Sequence, residues 1–188
     1  TVVLDVDSSQ VDTLRKFGFK VFYGAALRLD LLEAAGAREA RLLIIAIDDR
    51  EKATELAALA QQNFPHLKLL VRVFDRAHAF ELIRLKVHGV YREVYESSLE
   101  MAGDALVALG KPERAAARAI SLFRQHDIKL MRKQAAMPDD EQARIDLARQ
   151  SREEIARVFA ADAASGDSEV ERTPASARKE HAHKEKLG

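Results

Sequence analysis

The chain has 188 residues, enough for one sizeable core or for a domain with an extension. Its 30 Lys and Arg balance 30 Asp and Glu, so no net field recruits nucleic acid or an anionic membrane, and the lack of cysteine excludes disulfides. The longest unbroken apolar run, Leu42 to Ile47, is far shorter than the about 20 residues of a membrane-spanning helix.

The chain opens with an apolar strand, Val2 to Leu4, that stops on an acid, Asp5. A short helix follows, with Ser8 or Ser9 expected as N-cap, Val11, Leu14 and Phe17 on one face, and Gly18 just past its end. A second strand, Val21 to Tyr23, halts at Gly24, and another short amphipathic helix ends at Gly36. In a dinucleotide-binding fold an acid at the end of such a strand accepts hydrogen bonds from both hydroxyls of an adenosine ribose. That fold places a strand, a Gly-x-Gly-x-x-Gly turn and a helix ahead of the acid, whereas here the acid is residue five and the glycines are scattered. The expectation is a chain that begins one strand and one helix into the fold, the carboxyl portion of a larger polypeptide.

The run Arg41 to Ile47 reads as a strand buried on both faces, as in a parallel sheet. Asp48 and Asp49 follow it, either as ligand groups or as caps of the next helix, Glu51 to Asn63; the two roles are compatible. Phe64-Pro65 ends that helix, Lys68 to Phe74 is the next strand, and Asp75 caps a helix over Ala77 to Lys86. Gly89 to Tyr91 is a last short strand or a turn. The alternation predicts an α/β doubly wound parallel sheet with right-handed crossovers.

The second half is helical. One helix covers Ser97 to Leu109, with Leu99, Ala102, Leu106 and Leu109 on one face, as core or as a dimer seam; periodicity alone favours core. Pro112 opens another, to about His126, and Asp139 or Asp140 caps a third, Glu141 to Phe159. The division expected is 1–95 as a truncated nucleotide-binding domain, 96–160 as a helical extension for dimerisation or regulation, and 161–188 as a disordered tail. His66, His78, His88 and His126 are scattered without metal-ligand spacing, and His181 and His183 stand in the tail, so no metal site is expected. No nucleophile and base share a motif.

The blocks LRKFGFKVFYGAALRLDLLEAAG, IIAIDD, NFPHL, VRVFDRAHAFELIRL, VYREVYESSLEMAGDALVALG and FRQHDIKL, in that order, resemble the cytoplasmic regulatory domain of Kef-type potassium efflux systems. This is the potassium-transport nucleotide-binding domain, also called RCK, KTN or TrkA-N. The resemblance covers residues 1 to 130. It implies a Rossmann-like fold that binds AMP or NAD(H), a homodimer, and a membrane potassium/proton antiporter domain in the same polypeptide. It further implies regulation by glutathione or its conjugates at the cytoplasmic face of the inner membrane.

Carried over by position, the resemblance puts Asp5 on the ribose and Asp48 and Asp49 near the adenosine, with Asp7 and Arg28 also in the nucleotide set. Phe17 and Arg92 fall in the glutathione pocket, and Asp127 stands where the family has an asparagine that reads glutathione. The family's Gly-Asp-Ala-Thr-Arg appears as Gly24-Ala25-Ala26-Leu27-Arg28, without its acid and hydroxyl. Read without the resemblance, Phe17 is the last core residue of its helix and Arg92 an ion-pair partner of Glu93 or Glu96. The function implied is a ligand-sensing regulator, not an enzyme. The alternatives are a structural dimerisation module and, from another class, a fragment of an NAD-dependent dehydrogenase, which needs the glycine turn and a second domain.

Overall fold

The structure, a computed structural model, describes residues 1–138 and 140–170, with side chains described as far as residue 161. Elements follow in the order β1 (Val2–Asp5), α1 (Ser8–Lys16), β2 (Lys20–Tyr23), α2 (Leu29–Ala34), β3 (Leu42–Ile45), α3 (Arg50–Asn63) and β4 (Lys68–Val73). Then come α4 (Arg76–Arg84), β5 (Gly89–Arg92), α5 (Tyr95–Ala108), α6 (Glu113–Ala136) and α7 (Glu141–Val170). The chain divides into two compact units, one made of 1–97 with 131–137, the other of 98–130 with the residues from 138 onward.

In the first unit every strand pairing is parallel. β1 lies beside β2 with Val3 opposite Val21, and β4 lies between β3 and β5 with Ile45 opposite Val71 and Val71 opposite Val90. The strands thus form a pair and a triplet, and among the described residues β1 and β3 share no hydrogen bonds. The core fills one face of the triplet. Leu69, Val71 and Val73 alternate inward on β4 and meet Ala53, Leu56, Ala57 and Ala60 of α3 and Ala79, Phe80 and Leu82 of α4. The i, i+3, i+4, i+7 spacing on α3 uses three alanines, and these let its backbone approach the sheet closely. Phe64 and Leu67 close the end of that layer, and Met131 and Ala135 belong to the same cluster.

Several expectations are corrected. β3 is not buried on both faces: Ile45 is 1% exposed, but Leu42 and Ile44 are 45% and 64% exposed. The core helices α3 and α4 both pack on the side of Ile45, and in this unit no described helix covers the other side. Asp7, not Ser8 or Ser9, caps α1, because its longer side chain reaches the N–H groups of Ser9 and Gln10. Phe17 is no core residue; it is the C-cap of α1, just before Gly18 at φ +84°, and is 75% exposed. α5 starts at Tyr95, ahead of Ser97, and α6 runs ten residues past His126. Asp49 and Asp75 cap α3 and α4 as expected, accepting the N–H of Lys52 at 3.1 Å and of His78 at 2.7 Å.

The second unit is helical. Leu99, Ala116 and Ile155 are buried, while Leu109, expected on the same face as Leu99, is 83% exposed. Nε2 of His126 lies 2.6 Å from the Ser151 hydroxyl, linking α6 to α7. Asp140 accepts the N–H of Ala143 at 3.0 Å as the cap of α7, and the alternative cap, Asp139, lies outside the described residues. α7 continues to Val170, into the stretch expected to be disordered; residues 171–188, with His181 and His183, lie outside the described residues.

Candidate functional site

Parallel strands put their carboxyl ends on one edge, where α/β folds hold ligands. At the carboxyl ends of the β1–β2 pair stand Asp5 and Gly24, and at those of the triplet Asp48 and Asp49 after β3, Asp75 after β4 and Glu93 after β5. These acids are occupied differently. Asp49 is a cap: the N–H of Lys52, then its ammonium group, hold the Asp49 carboxyl below the usual range. Asp75 is spent on α4. Asp5 is half-buried, its Oδ1 accepts the Asp7 N–H at 2.8 Å, and among the described residues nothing else bonds its carboxylate. Asp48 is 85% exposed and accepts from Nη2 of Arg72.

Gly24 holds the edge together at β2. Its N–H donates to the Asp5 carbonyl at 2.9 Å, its φ is +147°, and a Cβ there would stand 2.8 Å from Leu31 Cδ2. A side chain is disfavoured there by conformation, and a Cβ would also require the end of Leu31 to shift.

The other two residues of the nucleotide set are engaged locally. Oδ1 of Asp7 accepts the hydroxyl and N–H of Ser9 and the N–H of Gln10, which together hold its carboxyl below the usual range. Arg28 donates through Nε to Asp30 at 3.2 Å and through Nη2 to the same carboxylate.

Of the second group, Arg92 lays its guanidinium over the Tyr95 ring, 3.5 Å from the centroid. Phe17 presents its ring to solvent. Both belong to the first unit, whereas Asp127, 6% exposed on α6, belongs to the second. Glu93, one of the two ion-pair partners expected for Arg92, is instead held by Nη1 of Arg72 at 3.0 Å.

Arg72 is the residue that sequence reasoning missed. Its Nη2 also donates to the Ala46 carbonyl at 2.8 Å, and its Cζ lies 5.5 Å from the Phe74 centroid. A charged residue inside the apolar run Leu69 to Phe74 was the available signal. Among the described residues no cluster of His, Asp or Glu is arranged to hold a metal ion, and no helix is long and apolar enough to cross a membrane.

Comparison with known proteins identifies relatives of both halves of the chain. The TrkA-N domain model matches residues 1–93, and the model of the potassium efflux system KefB C-terminal domain matches residues 97–180. The glutathione-regulated potassium-efflux system protein KefC of Klebsiella pneumoniae is 42% identical over 142 residues, 76% of this chain and 23% of that protein. The KefC of Escherichia fergusonii is 37% identical over 161 residues, 86% of this chain and 26% of that protein. The chain thus spans about a quarter of the length of these relatives. Among solved structures, the TrkA-N domain of the inner membrane protein ybaL from Escherichia coli superposes with a TM-score of 0.50 at 21% identity, covering 58% of this chain and 78% of that one, a likeness of fold. The Kef CTD of Shewanella denitrificans in AMP-bound form superposes with a TM-score of 0.63 at 39% identity, covering 72% of this chain and 96% of that one. With such identity across nearly all of a Kef domain, and two family models matching in succession, this chain belongs to the Kef-type family of potassium-efflux C-terminal domains built on a TrkA-N fold.

Proposed function

We propose that this chain is a ligand-sensing regulatory domain of a potassium efflux system, acting at the cytoplasmic face of the membrane on an antiporter domain of the same polypeptide. It performs no chemistry; it shifts the transporter between states through differential ligand affinity. The observation that carries the reading is the pair of accessible carboxylates, Asp5 and Asp48, at the carboxyl ends of parallel strands in a chain 39% identical to a Kef domain described with AMP bound. Asp5 accepts the ribose hydroxyls, and Asp48 lies beside the adenosine. Asp49 stands next to Asp48 on the adenosine side, and Asp7 and Arg28 complete the proposed nucleotide set, each already hydrogen-bonded to a neighbour in the chain.

Glutathione, named in the description of the KefC relatives, is the second ligand. Arg92 takes one of its carboxylates with the in-plane donors of the guanidinium, whose flat face rests on Tyr95. Phe17 is the other proposed contact in the first unit; Asp127, in the second, is proposed separately and as the weaker one, because an anion there repels an anionic ligand. The chain acts as a homodimer through α5.

The test is titration calorimetry with AMP. Asp5→Ala is expected to weaken AMP binding tenfold to a hundredfold, the loss of about 1.5–3 kcal/mol for hydrogen bonds to a charged acceptor. Unchanged affinity would overturn the site. A second reading, a structural dimerisation module, draws support from Gly24 to Arg28, where the family's acid and hydroxyl are replaced and Arg28 is paired with Asp30. Failure of the unaltered chain to bind either AMP or glutathione would favour it.

A further inference from the structure

The even charge balance of the chain conceals a segregation within the first unit. Through residues 1–97 most cations are held by an acid, as Arg28 is by Asp30, Arg50 by Glu81 and Arg72 by Asp48 and Glu93. Lys16, Lys20, Arg41, Lys68 and Lys86 have no ion pair among the described residues. Each lies where a strand begins: Lys16 and Lys20 lead into β2, Arg41 directly precedes β3, Lys68 opens β4 and Lys86 stands just ahead of β5. The strands of the triplet are parallel, so their amino-terminal ends form one edge, opposite the acids. There the Arg41 carbonyl accepts the Lys68 N–H at 3.2 Å, and Nδ1 of His88 accepts the Leu69 N–H at 3.2 Å. Arg41, Lys68 and His88 thus stand at the ends of neighbouring strands, whose spacing is about 4.8 Å. All of them, with Lys86, are exposed. In the α2–β3 connection Arg38 holds Glu33, and Glu39 is the acid left unpaired. Like charges in a row repel, so folding alone gives no reason to gather them. Lys86 even keeps φ +58°, where glycine would be relaxed.

We propose that the amino-terminal edge of the triplet rests on the anionic lipid headgroups of a membrane. This placement depends on the functional reading above, which sets the chain at a membrane face. Cations in a row on separate elements suit a continuous sheet of anions, whereas a single bound anion needs donors that converge on it. Lysine ammonium groups on flexible stems make such contacts without fixed geometry. Leu42, exposed and opposite Lys68 in register, adds an apolar group that can enter the interfacial layer beside them. Each Lys or Arg near an anionic leaflet raises partitioning about fivefold. β4 separates this edge from the acids by roughly 17 Å, so the ligand edge stays open to solvent while the opposite edge is docked.

The experiment is sedimentation of the 188-residue chain with phosphatidylcholine vesicles, plain or with about one third phosphatidylglycerol, alongside calorimetry with AMP. The unaltered chain is expected to bind the anionic vesicles about tenfold or more above the plain ones, and to release them as salt is raised. The triple variant Arg41→Gln, Lys68→Gln, Lys86→Gln lowers that binding by about tenfold to a hundredfold and leaves AMP affinity within about twofold. Neutralising Lys111, Arg149 and Arg152, exposed cations of the second unit, removes the same charge and changes vesicle binding by less than about threefold. Equal binding to both kinds of vesicle, or equal losses in the two triple variants, overturns the proposal. So does retention on an acidic polypeptide column without vesicle binding, which points to an acidic protein partner. Failure to bind AMP with anionic-vesicle binding intact overturns the ligand-sensing reading and leaves the docked edge standing.

Discussion

His78 sits on the third residue of α4 with 2% of its surface exposed, its Nε2 3.1 Å from the Thr54 hydroxyl and its Nδ1 buried without a partner. Burial, and then the nearby Arg50 cation, push its pKa below the ordinary 6.5, outweighing Glu81 and Asp75. The folded state therefore holds it neutral, and the unfolded chain binds the proton first. Stability is full above pH 6.5 and declines as the pH falls from there toward the lowered folded value. Denaturation midpoints should drop between pH 7 and pH 5, and His78→Gln should flatten that slope while costing about 1–3 kcal/mol at pH 7; an equal slope in both proteins would refute the assignment. Arg92→Lys belongs at the same scale. It keeps a cation but loses the planar fork, so glutathione affinity should fall several-fold in calorimetry with the melting temperature unchanged. The acids at strand ends were legible as residues because each directly follows an apolar run. Which of them caps and which stays open was not, since Asp48 and Asp49 differ only by the reach to Lys52 or to Arg72, a partner 24 residues away.

Helices and strands were legible as elements wherever a local stop existed: Gly18, Gly36, Pro65 and Gly110 each mark an end that the structure keeps. α6 lacked such a stop near His126, and its further extent depends on contacts that no local pattern encodes. Arg76 Nη2 donates to Gln134 Oε1 at 2.8 Å, and Arg84 Nε donates to the Ala135 carbonyl at 3.0 Å, so α4 grips the final turns of α6. Met131 and Ala135 enter the core of the first unit there, at 8% and 2% exposure. Met131→Ala should cost about 2 kcal/mol or more in urea denaturation. Met101→Ala, on an exposed face of α5, should stay within about 0.5 kcal/mol. Equal effects would mean that 131–137 does not support that core.

At the scale of the whole molecule the sequence disclosed the fold class, because four apolar runs, three of them stopped by an acid, alternate with amphipathic helices and admit few layouts. It also pointed to open strand edges, and β1 and β3 each keep one among the described residues. It did not disclose the open apolar faces: Leu42, Ile44 and Tyr91 lie open on the triplet, and Val94, Met101 and Leu109 lie open along α5 and its flanks. Unpaired edges and apolar stripes of this kind invite association. The chain should therefore be dimeric or larger by light scattering at micromolar concentration, and Met101→Glu with Leu109→Glu should shift it toward monomer. A monomeric unaltered chain would refute this, as would an unaffected double variant.

The grip of α4 on residues 131–137 also sets an order of events in time. The strands and α3 and α4 make their contacts with elements that lie next to them or one removed in chain order, so they can assemble as the polypeptide emerges. Their layer stays open at Met131 and Ala135 until a further stretch beyond Ser97 has been synthesised, a delay of roughly 2–7 s at ordinary elongation rates. During that interval Arg76 and Arg84 lack Gln134 and the Ala135 carbonyl as partners. A nascent chain halted before Met131 should be digested by protease more readily than one halted after Met137, although both contain every strand.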